Sequence, residues 1–328
     1  HQWEELEKSG CIDNFRILAG SKEGFREGWF FADSDAFKWL DAAARVYAHD
    51  PEPELKQLMD DFISLIERTQ STDGYLYTYN QLLFPDKRWI NLQIEHELYC
   101  HGHLIEAGVS HFQATGEDRL LKLVRKAANC IVGHFMGKEP DLTPGHQEIE
   151  IALLRLYEIT QHEPYLALAE QFILKRGKIK GFIPKLVKQF IDVGNRENKA
   201  KARLKAYKEQ HGQQSVKSLP PTNYAKHSPL TNIRWYINSL QGKYFQQHQP
   251  LIEQVIPVGH SVRFAYLQSA AAKLCQFKPN PKLQETLVQS WKHMVERRMY
   301  VTGGIGSLPA IEGFGRDYEL DPEFAYAE

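Results

Sequence analysis

Three Gly-His pairs stand out in this chain beside Gly133-His134: Gly102-His103, Gly145-His146 and Gly259-His260. A neutral imidazole offers one directional donor and one directional acceptor, so a set of them suits a ligand rich in hydroxyls. A glycine beside each one allows a ligand or a neighbouring segment to approach closely. His96 stands seven residues before His103 in His96-Glu-Leu-Tyr-Cys-His-Gly-His103, on the same face of a helix. This stretch is not HExxH, because position 100 is cysteine, and that removes a zincin reading. Histidines alone, with no carboxylate at ligand spacing, make a weak metal set. Cys130 and His134, at i and i+4, read as a buried cysteine beside a half-exposed histidine.

A carboxylate joins them near the other end. Thr302-Gly-Gly-Ile-Gly-Ser307 leads to Glu312, flanked by Ile311, Gly313 and Phe314. The glycine run follows a helix-like stretch, Trp291 to Arg298, and no lysine comes after it, so it is a poor nucleotide loop. A tight loop beside an active site fits better. Desolvation of a carboxylate there raises its pKa, which suits a general acid near neutral pH. Asp317, Glu319, Asp321 and Glu323 read as surface acids, and Ala325-Tyr-Ala-Glu328 opens another apolar, helix-like run.

The elements that must position these groups are helices. Phe37, Leu40, Ala43, Ala44 and Tyr47 form one apolar stripe, and Leu58, Phe62, Leu65 and Ile66 the next. Four polar breaks recur: His49-Asp-Pro-Glu-Pro, Thr115-Gly-Glu-Asp, Thr160-Gln-His-Glu-Pro and Lys278-Pro-Asn-Pro. Each ends one apolar helix and opens another with proline or acidic residues, as N-terminal helix chemistry prefers. Four copies of one helical hairpin imply an array. The first helices carry the polar residues (His96 and His103, His146 and Glu148, then His260), while the second helices are plainly amphipathic. That asymmetry predicts an all-α (α/α) toroid, with inner helices facing a cavity. A basic helical insertion is expected at about 175–245, rich in lysine and arginine from Lys175 to Lys217. The aromatics after it, Tyr224, Trp235, Tyr236, Tyr244 and Phe245, form either a loop over the ring mouth or a packed crossover.

Bulk properties exclude several functions. The 328 residues carry a formal charge of −1, with 42% hydrophobic and 25% charged residues, ordinary for a soluble globular protein. Near-neutral charge argues against nucleic acid or an anionic membrane as partner. No apolar run approaches the roughly 20 residues of a membrane span. Cys11, Cys100, Cys130 and Cys275 are scattered without a CxxC, which points to buried thiols in a reducing, cytoplasmic compartment. The start, His1-Gln-Trp-Glu-Glu, lacks the order of a signal peptide but leaves periplasmic export open. A homodimer is an allowed assembly.

In sequence order, Ile12-Asp-Asn-Phe15, Asp33-Ser-Asp-Ala-Phe-Lys-Trp39, His96-Glu-Leu-Tyr, Gly102-His103-Leu-Ile-Glu-Ala, Gly145-His-Gln-Glu-Ile-Glu150, Gly259-His260 and Tyr300-Val-Thr-Gly-Gly-Ile-Gly-Ser307 resemble glycoside hydrolase family 127, the β-L-arabinofuranosidase family related to family 146. The resemblance implies an all-α (α/α)6 toroid or barrel over residues 1–328, incomplete at the C-terminus, with the β-sandwich domains that follow it in the family expected to be absent here. It implies retaining hydrolysis of a β-L-arabinofuranoside or related furanoside, with Zn2+ holding a cysteine thiolate nucleophile and a glutamate as acid and then base. On that basis Glu312 is the acid/base, Glu328 a zinc ligand, and His103, His146 and His260 bind sugar, with Gln2 as a substrate contact. The substrate is then a glycoside or oligosaccharide.

Some features depart from the family. It reads Tyr-Asp-Leu-Pro-Asn-Asp where this chain reads Tyr318-Glu-Leu-Asp-Pro-Glu323, and the lysine-rich insertion is longer than usual. The family's three zinc cysteines all follow the position of Glu328, so the chain by itself is expected to be inactive. Two other classes fit the helical and histidine pattern. One is a sugar isomerase of the 2-epimerase kind, with no need of Glu312. The other is a non-catalytic helical-repeat binding protein, whose Gly-His positions share no cavity.

Overall fold

The computed structural model describes residues 1–212 and 229–321; Glu328, Glu323 and Tyr224 lie outside these residues. Two short helices, α1 (Gln2–Lys8) and α2 (Cys11–Leu18), precede the hairpin of α3 (Asp33–Tyr47) and α4 (Pro53–Thr69). After α5 (Thr78–Leu83) come the hairpins α6 (Glu97–Thr115) with α7 (Arg119–Phe135) and α8 (Ile149–Thr160) with α9 (Glu163–Lys175). A 30-residue helix, α10 (Phe182–His211), and α11 (Pro229–Leu240) stand before the last hairpin, α12 (Ser261–Phe277) with α13 (Pro281–Arg297). These are the four hairpins that the polar breaks predict.

Local chemistry explains where the helices start and stop. Pro53 and Pro281 occupy the first residues of α4 and α13, where a missing N–H is harmless. The Asn280 side chain accepts from the Leu283 N–H at 3.1 Å and caps α13. Gly116 ends α6 in the left-handed region at φ 74°.

The helices form two layers. α3, α6, α8 and α12 pack side by side in that order, with α4, α7, α9 and α13 outside them. α6 is buried over 14 of its 19 residues, polar ones included, whereas α7 buries seven of 17 along one face, from Leu120 and Val124 to Ile131 and Phe135. A helix with neighbours on all sides buries its circumference, and one facing solvent buries a stripe. The expected all-α helical-barrel architecture is thus present. Among the described residues no β-strand forms, only isolated bridges such as His260 to Gly313. Phe15, Phe37 and Phe62 lock the start of the core, with Phe15 5.6 and 5.2 Å from the other two in edge-to-face geometry.

The lysine-rich α10 docks through its polar inner face. Arg196 is buried, pairs with Glu95 at 3.0 Å and bonds Asn80. Asp192 accepts from Asn91 at 2.8 Å, and Gln189 accepts from the Gln93 N–H at 2.9 Å. The helix is thereby tied to the loop that leads into α6.

The glycines before the three histidines are contact points between segments. A Cβ on Gly102 would press into the Glu148 carboxylate, one on Gly145 into the Gln93 backbone, and one on Gly259 into the Lys243 carbonyl. Gly313 is equally tight against Gly259. Overpacking of this kind destabilises by about 1–3 kcal/mol. Gly145→Ala is therefore expected to lower the thermal midpoint by several degrees. Gly194→Ala, on α10 with nothing within 4 Å, should leave it unchanged or raise it slightly. Circular dichroism melts of the two variants decide this; equal midpoints would contradict the contact.

Candidate active site

The N-terminal ends of the inner helices open onto one cavity of about 490 Å³. His96, the N-cap of α6, and Tyr99 in its first turn supply one wall. His146 arrives on the segment before α8, and His260 is the N-cap of α12, followed by Arg263 and Tyr266. Tyr244 comes from the turn before α12, and Trp29, Phe30 and Phe31 from the loop before α3. The His146 ring lies 4.8 Å from His96, 4.3 Å from Tyr99 and 5.5 Å from His260. This size and mixture of rings with a few polar tips suits one small ligand.

Glu312 completes the wall. Its carboxylate Oε2 lies 3.0 Å from His260 Nε2. The backbone enforces the meeting: the Ser261 N–H and Oγ both donate to the Glu312 carbonyl, at 2.9 and 2.8 Å, and the Phe314 N–H donates to the Gly259 carbonyl at 2.9 Å. Glu312 sits at φ 46°, a left-handed conformation that a non-glycine residue adopts only when its surroundings impose it.

Hydrogen bonds assign the imidazole tautomers. His260 Nδ1 accepts from the Val262 N–H at 3.2 Å, so Nε2 carries the proton and donates it toward Glu312. His146 Nδ1 faces the Gln147 carbonyl at 2.8 Å and His96 Nδ1 the Ile94 carbonyl at 3.0 Å. A carbonyl only accepts, so in both rings Nδ1 carries the proton and Nε2 keeps the lone pair. The site therefore combines two imidazole acceptors with one imidazole donor already aimed at a carboxylate.

Burial, followed by the positive charge of Arg263, holds His96 and His146 well below the ordinary histidine value of 6.5. Arg263 is itself buried. It donates to the Gly145 carbonyl at 2.7 Å and lies over the Tyr244 and Phe245 rings at 4.7 and 4.8 Å. It thereby ties the His146 segment to α12.

The structure separates the sequence candidates. It brings His146, His260 and Glu312 into one cavity. His103 lies deeper on α6, behind Tyr99 with ring centroids 4.4 Å apart, and its Nδ1 is 3.4 Å from Glu148 Oε1; it is not on the lining. Gln2 is exposed at the first position of α1 and is likewise not on the lining. His96 reaches the cavity on α6, as the polarity of the first helices led one to expect, although it was not among the sugar-binding candidates. The available signal was position: like His146 and His260, His96 stands at or just before a helix start, and His103 stands inside the helix. Of the aromatics after α10, Tyr244 reaches the cavity. Gly303 and Ile305 of the glycine run face elsewhere, into a groove of about 570 Å³ between α12 and α13 whose lining holds no titratable side chain. Asp317 pairs with Arg297 and Arg298, and Glu319 with Arg234, at the surface.

No cysteine is on the cavity lining among the described residues. Cys11 and Cys100 are buried under backbone carbonyls, their thiols pushed up by burial, and burial raises Cys130 to about 11. The described residues offer one cluster of three ligand-type side chains, Asp60, His111 and Glu117, all within 4.8 Å, none of which lines the cavity. The Lys56 ammonium lies in that cluster, 2.7 Å from Asp60 and 3.0 Å from Glu117. These donors do not fit a zinc–thiolate centre beside Glu312.

Residues 2–328 match the family described as beta-L-arabinofuranosidase, GH127 catalytic domain. The chain belongs to glycoside hydrolase family 127. A curated relative, the non-reducing end beta-L-arabinofuranosidase of Bifidobacterium longum subsp. longum, is 34% identical over 327 residues, covering 98% of this chain and 44% of the relative. The crystal structure of a GH127 beta-L-arabinofuranosidase from Geobacillus stearothermophilus T6 superposes with a TM-score of 0.79 at 38% identity, over 100% of this chain and 47% of that one. A second GH127 beta-arabinofuranosidase structure gives 0.74 at 27% identity, over 99% and 44%. The chain thus spans somewhat less than half the length of these GH127 relatives. Among the described residues no helix is long and apolar enough to cross a membrane.

The depressed imidazoles carry a sign. A histidine that is harder to protonate folded than unfolded takes up fewer protons in the native state, so its contribution to stability falls as pH drops through 6.5. In the native state His96 and His146 are expected to remain neutral, with Nδ1 protonated, as pH falls through that value. Nitrogen-detected NMR of the two rings tests this, and a midpoint near 6.5 for either would contradict the geometry.

Proposed function

We propose that this chain is the sugar-binding and acid/base portion of a retaining glycosidase that acts on β-L-arabinofuranosides or related furanosides. The observation that carries the reading is the Glu312 carboxylate, held by the His260 Nε2–H at the wall of a cavity whose other imidazoles present acceptor nitrogens. The names of its GH127 relatives supply the sugar.

The residues present divide the work. Hydroxyls of the bound sugar donate to Nε2 of His96 and His146, which stay neutral because they are buried. Tyr99, Tyr244 and Tyr266 flank the ring. Glu312 protonates the glycosidic oxygen as the bond breaks, then takes a proton from the attacking water. His260 orients that carboxylate through its one available proton. A retaining mechanism also needs a nucleophile on the opposite face of the sugar. Glu312 is the only carboxylate on the cavity lining among the described residues, and the nucleophile is proposed to be a cysteine of the longer protein. Zinc is proposed for the longer protein, with Glu328 as a ligand; the described residues do not fit it. Residues 1–328 are taken as one catalytic unit with the helical insertion around 175–245.

In a binding repeat the Gly-His positions would have no reason to converge, yet two of them meet in one cavity with Glu312. The isomerase alternative is separable by experiment. In the full-length protein, Glu312→Gln is expected to lower kcat on an aryl β-L-arabinofuranoside about 100-fold or more with little change in KM. Wild-type turnover by the variant would sink the acid/base assignment. Proton exchange at a sugar carbon without cleavage, unaffected by Glu312→Gln, would replace the hydrolase reading by the isomerase.

A further inference from the structure

Trp29 lines the cavity and yet is 48% exposed, an unusual position for the largest apolar side chain. The loop that presents it is fastened from below. Arg26, only 5% exposed, donates to the carbonyls of Gly28 at 2.8 Å and Trp29 at 2.6 Å, and lies 5.0 Å over the Tyr79 ring. Asn14, fully buried, pins Glu27 in both directions: its Nδ2 donates to the Glu27 carbonyl at 2.9 Å, and its Oδ1 accepts from the Glu27 N–H at 2.8 Å. Burying an arginine and an asparagine is unfavourable unless their hydrogen bonds are met, and here the partners are the backbone on either side of the turn. The tryptophan is therefore exposed on a rigid support. Its ring is parallel to Phe31 at 6.2 Å, and Phe31 lies 5.3 Å from His96. An aromatic row thus runs outward from the imidazole wall to the solvent.

We infer that Trp29 is the stacking platform for the sugar ring that a non-reducing-end arabinofuranoside offers as its leaving group. The inference rests on the hydrolase reading above and goes beyond it by assigning the neighbouring subsite. The apolar C–H face of a sugar ring matches the flat face of an exposed indole. A bare alkyl aglycone would leave that face unused. A fixed indole also lowers the entropy lost on binding, because only the ligand must be ordered.

The test compares two substrates of the full-length protein: a disaccharide with a non-reducing β-L-arabinofuranosyl unit, and methyl β-L-arabinofuranoside, whose leaving group has no ring. Trp29→Ala is expected to lower kcat/KM on the disaccharide about tenfold and on the methyl glycoside less than about twofold. Trp29→Tyr should recover most of the loss. A similar loss on both substrates would make Trp29 a structural residue and overturn the subsite, as would no loss on the disaccharide. Wild-type protein that cleaves neither compound would instead overturn the hydrolase reading, and the subsite with it.

Discussion

The site depends on backbone meeting backbone more closely than a side chain permits. Gly145 rests on the Gln93 backbone, Gly259 on the Lys243 carbonyl, and Gly313 on the Gly259 carbonyl. The last contact carries the His260–Gly313 bridge and sets Glu312 beside His260. Gly102 extends the same logic one layer down, where its missing Cβ makes room for the buried Glu148 carboxylate under α8. Because a helix start follows or coincides with His96, His146 and His260, closing these contacts delivers three imidazoles to the same end of the barrel. Positioning and packing are one operation here: loosening a glycine contact would move a functional ring.

Burial then fixes the chemistry of what has been delivered. In water each of these imidazoles would titrate near neutrality and sample both tautomers. In the cavity a backbone group occupies Nδ1 of His96, His146 and His260, a carbonyl in the first two and an N–H in the third. Two rings become acceptors and one becomes a donor, although all three are the same residue. Arg263 contributes from beneath. Its charge discourages protonation of His96 and His146, and its bond to the Gly145 carbonyl holds the loop that carries His146.

The hairpins were legible in the sequence because they depend on local rules. Tyr47 to Pro53 and Phe277 to Pro281 contain the proline and cap chemistry that ends one helix and starts another. The two-layer arrangement was legible from the unequal polarity of first and second helices. The partition of the histidines was not. His96 and His103 share a helix face, and which of them meets the cavity depends on Tyr99 filling the space between His103 and His146, a tertiary fact with no local signature. Trp29 was hidden for the same reason. Its role follows from Arg26 and Asn14 gripping the loop from the core, and neither residue advertises that in sequence. Arg263, next to a recognised Gly-His pair, shows the same limit: its partner is a carbonyl 118 positions away.

Glu312 shows how far the local preference can be overridden. The left-handed region is natural for glycine, and glycines at 303, 306 and 313 surround this position, yet the residue at φ 46° is a glutamate. Strain of this kind amounts to about 1–3 kcal/mol and persists only where neighbours fix the backbone. Ser261 does so by donating twice to the Glu312 carbonyl, once from the main chain and once from Oγ, at the first turn of α12. The same turn begins with His260, whose side chain holds the Glu312 carboxylate. Both ends of the glutamate are thus gripped by two consecutive residues of one helix. A carboxylate placed this way has little freedom to drift, which is the geometric demand that the proposed acid/base role would make of it.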